Sequence, residues 1–197
     1  MMFEKIKHWI RFNLYYLGHP RWDTGVSPPE LISYLDTHSP GRALDLGCGT
    51  GTNLLTIAKK GWDVAGMDLA FLSVFRARKK LKANDIEARI IIGNAAGKSR
   101  IDEQFDFVLD IGCYHNLLQR DRLSYHTNLK NWLSEDGTFL LFAHQRTSNL
   151  HSHGVSQEDF SAFGSFLDLE WRRDGHDQSS DGSIRRPSTW VCYRRRI

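Results

Sequence analysis

The chain has 197 residues, 41% hydrophobic and 25% charged, with a formal net charge of +3. That length buries one substantial core but not two generous ones, and the ordinary balance, free of repeats and low-complexity tracts, excludes disordered and fibrous classes. No apolar run approaches the ~20 residues of a membrane span. The N-terminus lacks a signal-peptide pattern, and three scattered cysteines (Cys48, Cys113, Cys192) without C-x-x-C indicate reduced thiols and a cytoplasmic protein.

Residues 2–17 read as a helix with Phe3, Ile6, Ile10, Leu14 and Leu17 on one stripe, ended by Gly18-His19-Pro20. The stripe is expected to pack on its own domain; an active-site cover and weak membrane-surface contact through 2–17 are the alternatives. Ser27, before Pro28-Pro29, is expected to cap a second helix. From Arg42 the pattern becomes strand, turn, helix: strands at 43–46, 62–68, 89–92, 105–110 and 138–143, with helices at 52–60, 71–83 and 122–133. Strands this apolar, without clean alternation, suit a parallel sheet covered on both faces. A short helix at 157–163 follows. Strands at 166–171 and 188–193, joined by a polar segment, then predict an antiparallel pair.

The first strand leads into Asp45-Leu46-Gly47-Cys48-Gly49-Thr50-Gly51. Glycines let a ligand touch the backbone, and the helix after them offers free N–H groups. A dinucleotide fingerprint would place its third glycine at Thr52, so the spacing disfavours a nicotinamide-dependent oxidoreductase. This run resembles motif I of the class I S-adenosylmethionine (SAM) methyltransferases. Val64-Ala65-Gly66-Met67-Asp68-Leu69 resembles the same family's motif II, and Ile111-Gly112-Cys113-Tyr114-His115 after Asp110 is similar to its thiopurine-, halide/thiol- and quinone- or phenol-directed subgroup. Trp22-Asp23-Thr24-Gly25 resembles a cofactor-covering segment of that subgroup.

The resemblance implies an α/β, doubly wound, Rossmann-like seven-stranded sheet, mostly parallel with a C-terminal antiparallel pair. It implies one domain over 1–197, with a helical cover at 1–30 and a SAM-binding core at 42–197. SAM, with S-adenosylhomocysteine (SAH) as its product, would be held by Trp22, Asp45, Gly47, Cys48, Gly49, Thr50, Gly51, Asn53, Asp68, Leu69, Asn94, Ala95, Asp110, Ile111 and Gly112. Asp68 would accept from the ribose hydroxyls, and Leu69 would pack on adenine. The family usually has an acid where Asn94 stands; an amide oxygen accepts the same bond more weakly.

The implied reaction is methyl transfer to a small-molecule acceptor, an aromatic hydroxyl or nitrogen or a thiol. The Asn/Asp-Pro-Pro-Tyr/Phe turn of adenine and cytosine amino methylation is missing after the fourth strand. His115, Tyr114 and His144 are the candidate catalytic residues, with His115 the preferred general base on its nominal pKa. His144 with His151-Ser152-His153 does not make a metal site, for no acid or cysteine stands beside it. The 145–155 loop is expected in the acceptor pocket. A rival reading is a non-catalytic or RNA-associated subunit using the arginine-rich tail, Arg194-Arg195-Arg196. A solvated chain end explains that tail more simply, and disfavours nucleic acid as partner. Nothing in the sequence sets an oligomeric state.

Overall fold

Arg42–Leu46 forms β1, and every residue after Arg42 is buried. Strands buried on both faces read as continuous apolar runs, and this one does. The computed structural model describes residues 2–146, 154–177 and 186–196, and the chain divides into two units, Met1–Ala95 and Ala96–Ile197.

In the first unit β1 runs parallel to β2 (Asp63–Asp68), with Asp45 opposite Gly66, and β2 runs parallel to β3 (Arg89–Ile92). The crossover helices are α3 (Thr52–Lys59) and α4 (Phe71–Lys82), preceded in the chain by α1 (Met2–Tyr15) and α2 (Pro29–Thr37). Leu31, Leu44, Leu46, Leu54 and Ile57 are its fully buried core. Gly66 is forced by packing: a Cβ there would stand 2.8 Å from Leu54 Cδ1 and 3.0 Å from Cys48 Sγ.

Two expectations fail in this unit. Ser27 does not cap α2; the cap position belongs to Pro28, and the Ser27 hydroxyl donates instead to Thr56 Oγ1 at 2.8 Å. With Pro29 at the first helical position one orphan N–H is already absent, so the cap is less needed. The apolar stripe of α1 does not pack inward either. Ile6, Ile10, Leu14 and Leu17 are exposed, while Phe12 is half-buried and Tyr16, just past the helix, is buried. Phe3, whose side chain lies outside the described residues, drops out of the comparison.

In the second unit β4 (Phe105–Ile111) runs parallel to β5 (Leu133–His144), and β7 (Arg186–Arg195) lies antiparallel between β5 and β6 (Leu167–Asp177). Sequence placed the start of β5 at Thr138; it begins at Leu133 because Leu133 pairs with Phe105 before a bulge brings Thr138 opposite Phe107. Asp136 takes a left-handed φ of 59° within that bulge. Helices α5 (Arg122–Trp132) and α6 (Gln157–Phe163) and two 3-10 turns, Tyr114–Asn116 and Gln119–Asp121, complete the unit. Phe105, Phe107, Tyr114, Tyr125, Trp132, Phe139 and Phe163 are fully buried. The strand order is β3-β2-β1-β4-β5-β7-β6 in one seven-stranded sheet, the expected α/β arrangement with an antiparallel end.

Candidate functional site

The turn between β1 and α3 is held open by three left-handed glycines, Gly47 (φ 74°), Gly49 (φ 53°) and Gly51 (φ 81°). An L-residue in that region is strained. A Cβ on Gly51 would also meet Ala77 Cβ at 3.0 Å, so this glycine is fixed by conformation and by space. Below the turn Asp45 is 1% exposed, and the amides of Gly47 and Cys48 donate to Met67 O. Asn53 stands in the first turn of α3.

Asp68 closes the turn from the end of β2. Its Oδ2 accepts from Gly49 N–H at 2.9 Å and its Oδ1 from Ala70 N–H at 2.7 Å. Burial raises its pKa, opposed by these amides and Ser73. Leu69, half-buried, follows directly; Asn94 and Ala95 follow β3, where Gly93 N–H donates to Asp68 O at 2.9 Å.

Three neighbours of this turn were missed in the sequence. Tyr16 stands over it, its Oη 3.1 Å from where a Gly49 Cβ would lie. Burial, with the Asp68 charge second, pushes that phenol well above its ordinary pKa. Trp22 packs edge-on to Tyr15 at 5.0 Å, and its Nε1–H donates to Tyr16 Oη at 3.4 Å. Asp23 Oδ2 accepts from Thr50 Oγ1 at 2.8 Å, and Lys80 Nζ donates to Thr52 Oγ1 at 2.8 Å. Position beside Trp22 was the signal available for Asp23; nothing local marked Tyr16 or Lys80.

In the second unit Asp110 is fully buried. Oδ1 accepts from Cys113 N–H at 2.8 Å, and Oδ2 from Tyr114 N–H at 3.0 Å and Tyr125 Oη at 2.6 Å. These bonds fold Ile111, Gly112 (φ 92°) and Cys113 into a tight turn and use the carboxylate in doing so. Burial raises its pKa to about 7, with the Tyr125 hydroxyl and the two amides opposing.

His115 and His144 stack, with ring centroids 4.5 Å apart. His144 N–H donates to His115 Nδ1 at 3.1 Å. Nδ1 is thus an acceptor, and the neutral ring carries its proton on Nε2. A ring in that state donates from Nε2. Tyr114 is fully buried and its hydroxyl is bound to His126 Nε2 at 2.8 Å, so the expected catalytic phenol serves the core. Burial lowers His126 to about 4.

Arg122 and Asp159 form a buried ion pair; Arg122 also donates to Gly154 O at 2.7 Å, and Asp159 accepts from Ser156 N–H at 2.8 Å. Residues 147–153 of the expected acceptor loop, with His151, Ser152 and His153, lie outside the described residues. Among the described residues no cluster of His, Cys, Asp or Glu could hold a metal ion.

A family model described as "Methyltransferase domain" matches residues 43–137. An uncharacterized methyltransferase of Schizosaccharomyces pombe is 30% identical over 108 residues, covering 53% of this chain and 72% of the relative. The chain belongs to the SAM-dependent methyltransferases. The ribosomal RNA small subunit methyltransferase C of Alcanivorax borkumensis is also 30% identical, over 52% of this chain but 31% of that enzyme's length. A probable thiol methyltransferase of Arabidopsis thaliana is 37% identical over 32% of this chain and 29% of its own. Among solved structures, the N-methyltransferase NodS of Bradyrhizobium japonicum, in complex with SAH, superposes with a TM-score of 0.80 at 14% identity, covering 96% of this chain and 99% of that one. TehB of Haemophilus influenzae gives 0.75 at 18% identity, covering 89% and 64%.

The donor set fits the cofactor of a SAM-dependent methyltransferase. The amides of Gly47, Cys48, Gly49 and Gly51 are bonded within the fold, so the N–H groups of the first turn of α3, at Thr52, Asn53 and Leu54, are the ones that suit a carboxylate. Asp68, with three donors on four lone-pair sites, keeps acceptor capacity for a ribose hydroxyl.

Proposed function

We propose that this methyltransferase, one domain over 1–197, moves the SAM methyl to a small molecule bearing a thiol or an aromatic hydroxyl or nitrogen. The observation carrying it is the Asp68–Gly49 bond at the head of α3, which joins a ribose acceptor to an amide-rich turn. Gly47, Cys48, Gly49, Thr50, Gly51 and Asn53 hold the amino acid end; Asp68 takes the ribose; Leu69, Asn94 and Ala95 face the adenine; Trp22, with Tyr16, covers. Asp45 supports the turn from below. Within the second unit Asp110 acts as a positioning residue for the Ile111–Gly112 turn. A thiol acceptor has the Arabidopsis relative in its favour. An RNA acceptor has the Alcanivorax relative in its favour, against the missing Pro-Pro turn. No helix among the described residues is long and apolar enough to cross a membrane, and we place the enzyme in the cytoplasm.

Bound SAM supplies an electrophilic methyl on a sulfonium. The chain must hold an acceptor lone pair in line with that bond and keep water out, and orientation of this kind is worth ~7–11 kcal/mol of barrier. His115 donates from Nε2 to orient the acceptor, and His144 removes a proton where the acceptor carries one. A thiolate needs no base. Calorimetry with SAM, SAH and NAD tests the cofactor, and NAD binding in place of SAM refutes it. Methyl-labelled SAM offered with thiols, phenols and ribosomal RNA tests the acceptor, and label in RNA alone overturns the small-molecule reading.

A further inference from the structure

The exposed bulky apolar side chains of the described residues concentrate in one unit. All but Leu123 and Leu169 lie within Met1–Ala95. On α1, Ile6, Ile10 and Leu14 fall on one helical stripe with Leu17 following it, and on α4 Phe71 and Phe75 stand one turn apart; all six are 43–69% exposed. The two helices are tied at their edges. Phe71 N–H donates to Asn13 Oδ1 at 3.0 Å, and Arg76 donates to Gly18 O at 2.8 Å.

The charge on these helices is predominantly basic: α1 holds Glu4 against Lys5, Lys7 and Arg11. Residues 6–22 carry Lys7, Arg11 and Arg21, and residues 71–84 carry Arg76, Arg78, Lys79, Lys80 and Lys82; neither segment holds an Asp or Glu. Lys7 and Arg11 flank the stripe, lining one groove with Ile10, Leu14 and Tyr15. Lys79 and Lys82 continue the exposed face of α4 beyond Phe75.

We propose that this face docks on an anionic lipid bilayer, with the aliphatic and aromatic side chains entering the headgroup boundary and the lysines and arginines meeting lipid phosphate. Bulky apolar residues rimmed by basic ones are what such a surface binds. A second copy of the chain is disfavoured, because a two-fold contact would set this basic face against itself. RNA is disfavoured because Ile6, Ile10, Leu14 and Leu17 offer phosphate and bases no partner. The docking does not depend on the identity of the methyl acceptor.

The test is sedimentation of the full chain with phosphatidylcholine vesicles and with vesicles in which a quarter of the lipid is phosphatidylglycerol. Binding is expected to the mixed vesicles, falling with salt. Ile10→Glu with Leu14→Glu should abolish it, and Lys79→Gln should weaken it about fivefold, as one lost charge near a lipid surface does. These positions are exposed, and unchanged SAH affinity in each variant shows that the fold and the cofactor site are intact. Failure to bind mixed vesicles overturns the proposal. So does binding that survives Ile10→Glu with Leu14→Glu, or a dimer by size exclusion that those substitutions dissolve without any vesicle binding.

Discussion

Asp68 Oδ2 accepts the Gly49 amide at 2.9 Å, binding the end of β2 to the turn after β1. One carboxylate therefore shapes the cradle and is proposed to hold the ribose. Asp68→Asn should raise the SAH dissociation constant about tenfold to a hundredfold, the worth of one charge-assisted hydrogen bond. An unchanged constant in calorimetry removes Asp68 from the site.

Gly51→Ala combines a left-handed backbone with a Cβ 3.0 Å from Ala77. It should lower unfolding free energy by about 1–3 kcal/mol in urea titration. Gly175→Ala, with nothing within 4 Å of the added carbon, is the control and should change little.

The bond from His144 N–H fixes the tautomer of His115. Long-range proton–nitrogen NMR should show His115 protonated on Nε2 at neutral pH; protonation on Nδ1 would assign it the base role instead. His144→Gln should cut turnover ~10²–10⁴-fold for a phenol acceptor and leave a thiolate acceptor nearly unaffected.

Stability should respond to pH with two opposite slopes. Burial lifts Asp110 from 3.8 to about 7, so its folded form holds a proton that the unfolded chain has released. The stability it contributes is present below pH 3.8 and is lost as pH rises through 7. Burial lowers His126 from 6.5 to about 4, so its contribution is present above pH 6.5 and is lost as pH falls through 4. The two windows overlap and offset each other between about pH 4 and 6.5, so thermal melts should show Asp110→Asn leaving stability that rises with pH there and His126→Gln leaving stability that falls. Melts of the two variants with the parent's pH dependence would contradict the assignment.

Arg122 and Asp159 are each about 95% buried. Removing Arg122 leaves the buried Asp159 carboxylate with Arg146, at 4.0 Å, as counter-charge, so Arg122→Ala should cost about 3 kcal/mol. Arg122→Met with Asp159→Leu should recover much of it, measured by urea unfolding.

The glycine turn and Asp68 were legible because chain geometry restricts which residues can stand there. The outward face of α1 was not. A stripe of Ile6, Ile10 and Leu14 shows that a helix has two sides, while the burial of Tyr16, past its end, goes with the opposite side facing in. Asp110 could equally have pointed out of the strand end; amides three and four residues later turn it inward. The tautomer of His115 depends on a backbone N–H 29 positions away, which no local pattern records.

Arg146 N–H donates to Val155 O and Val155 N–H to His144 O, both at 2.9 Å, with Arg122 holding Gly154 O. His144, Arg146, Gly154 and Val155 are thus clamped to one another independently of what joins them in sequence. Because doubling a loop's length costs only about 0.6 kcal/mol in closure entropy, this clamp should survive insertions made between Arg146 and Gly154.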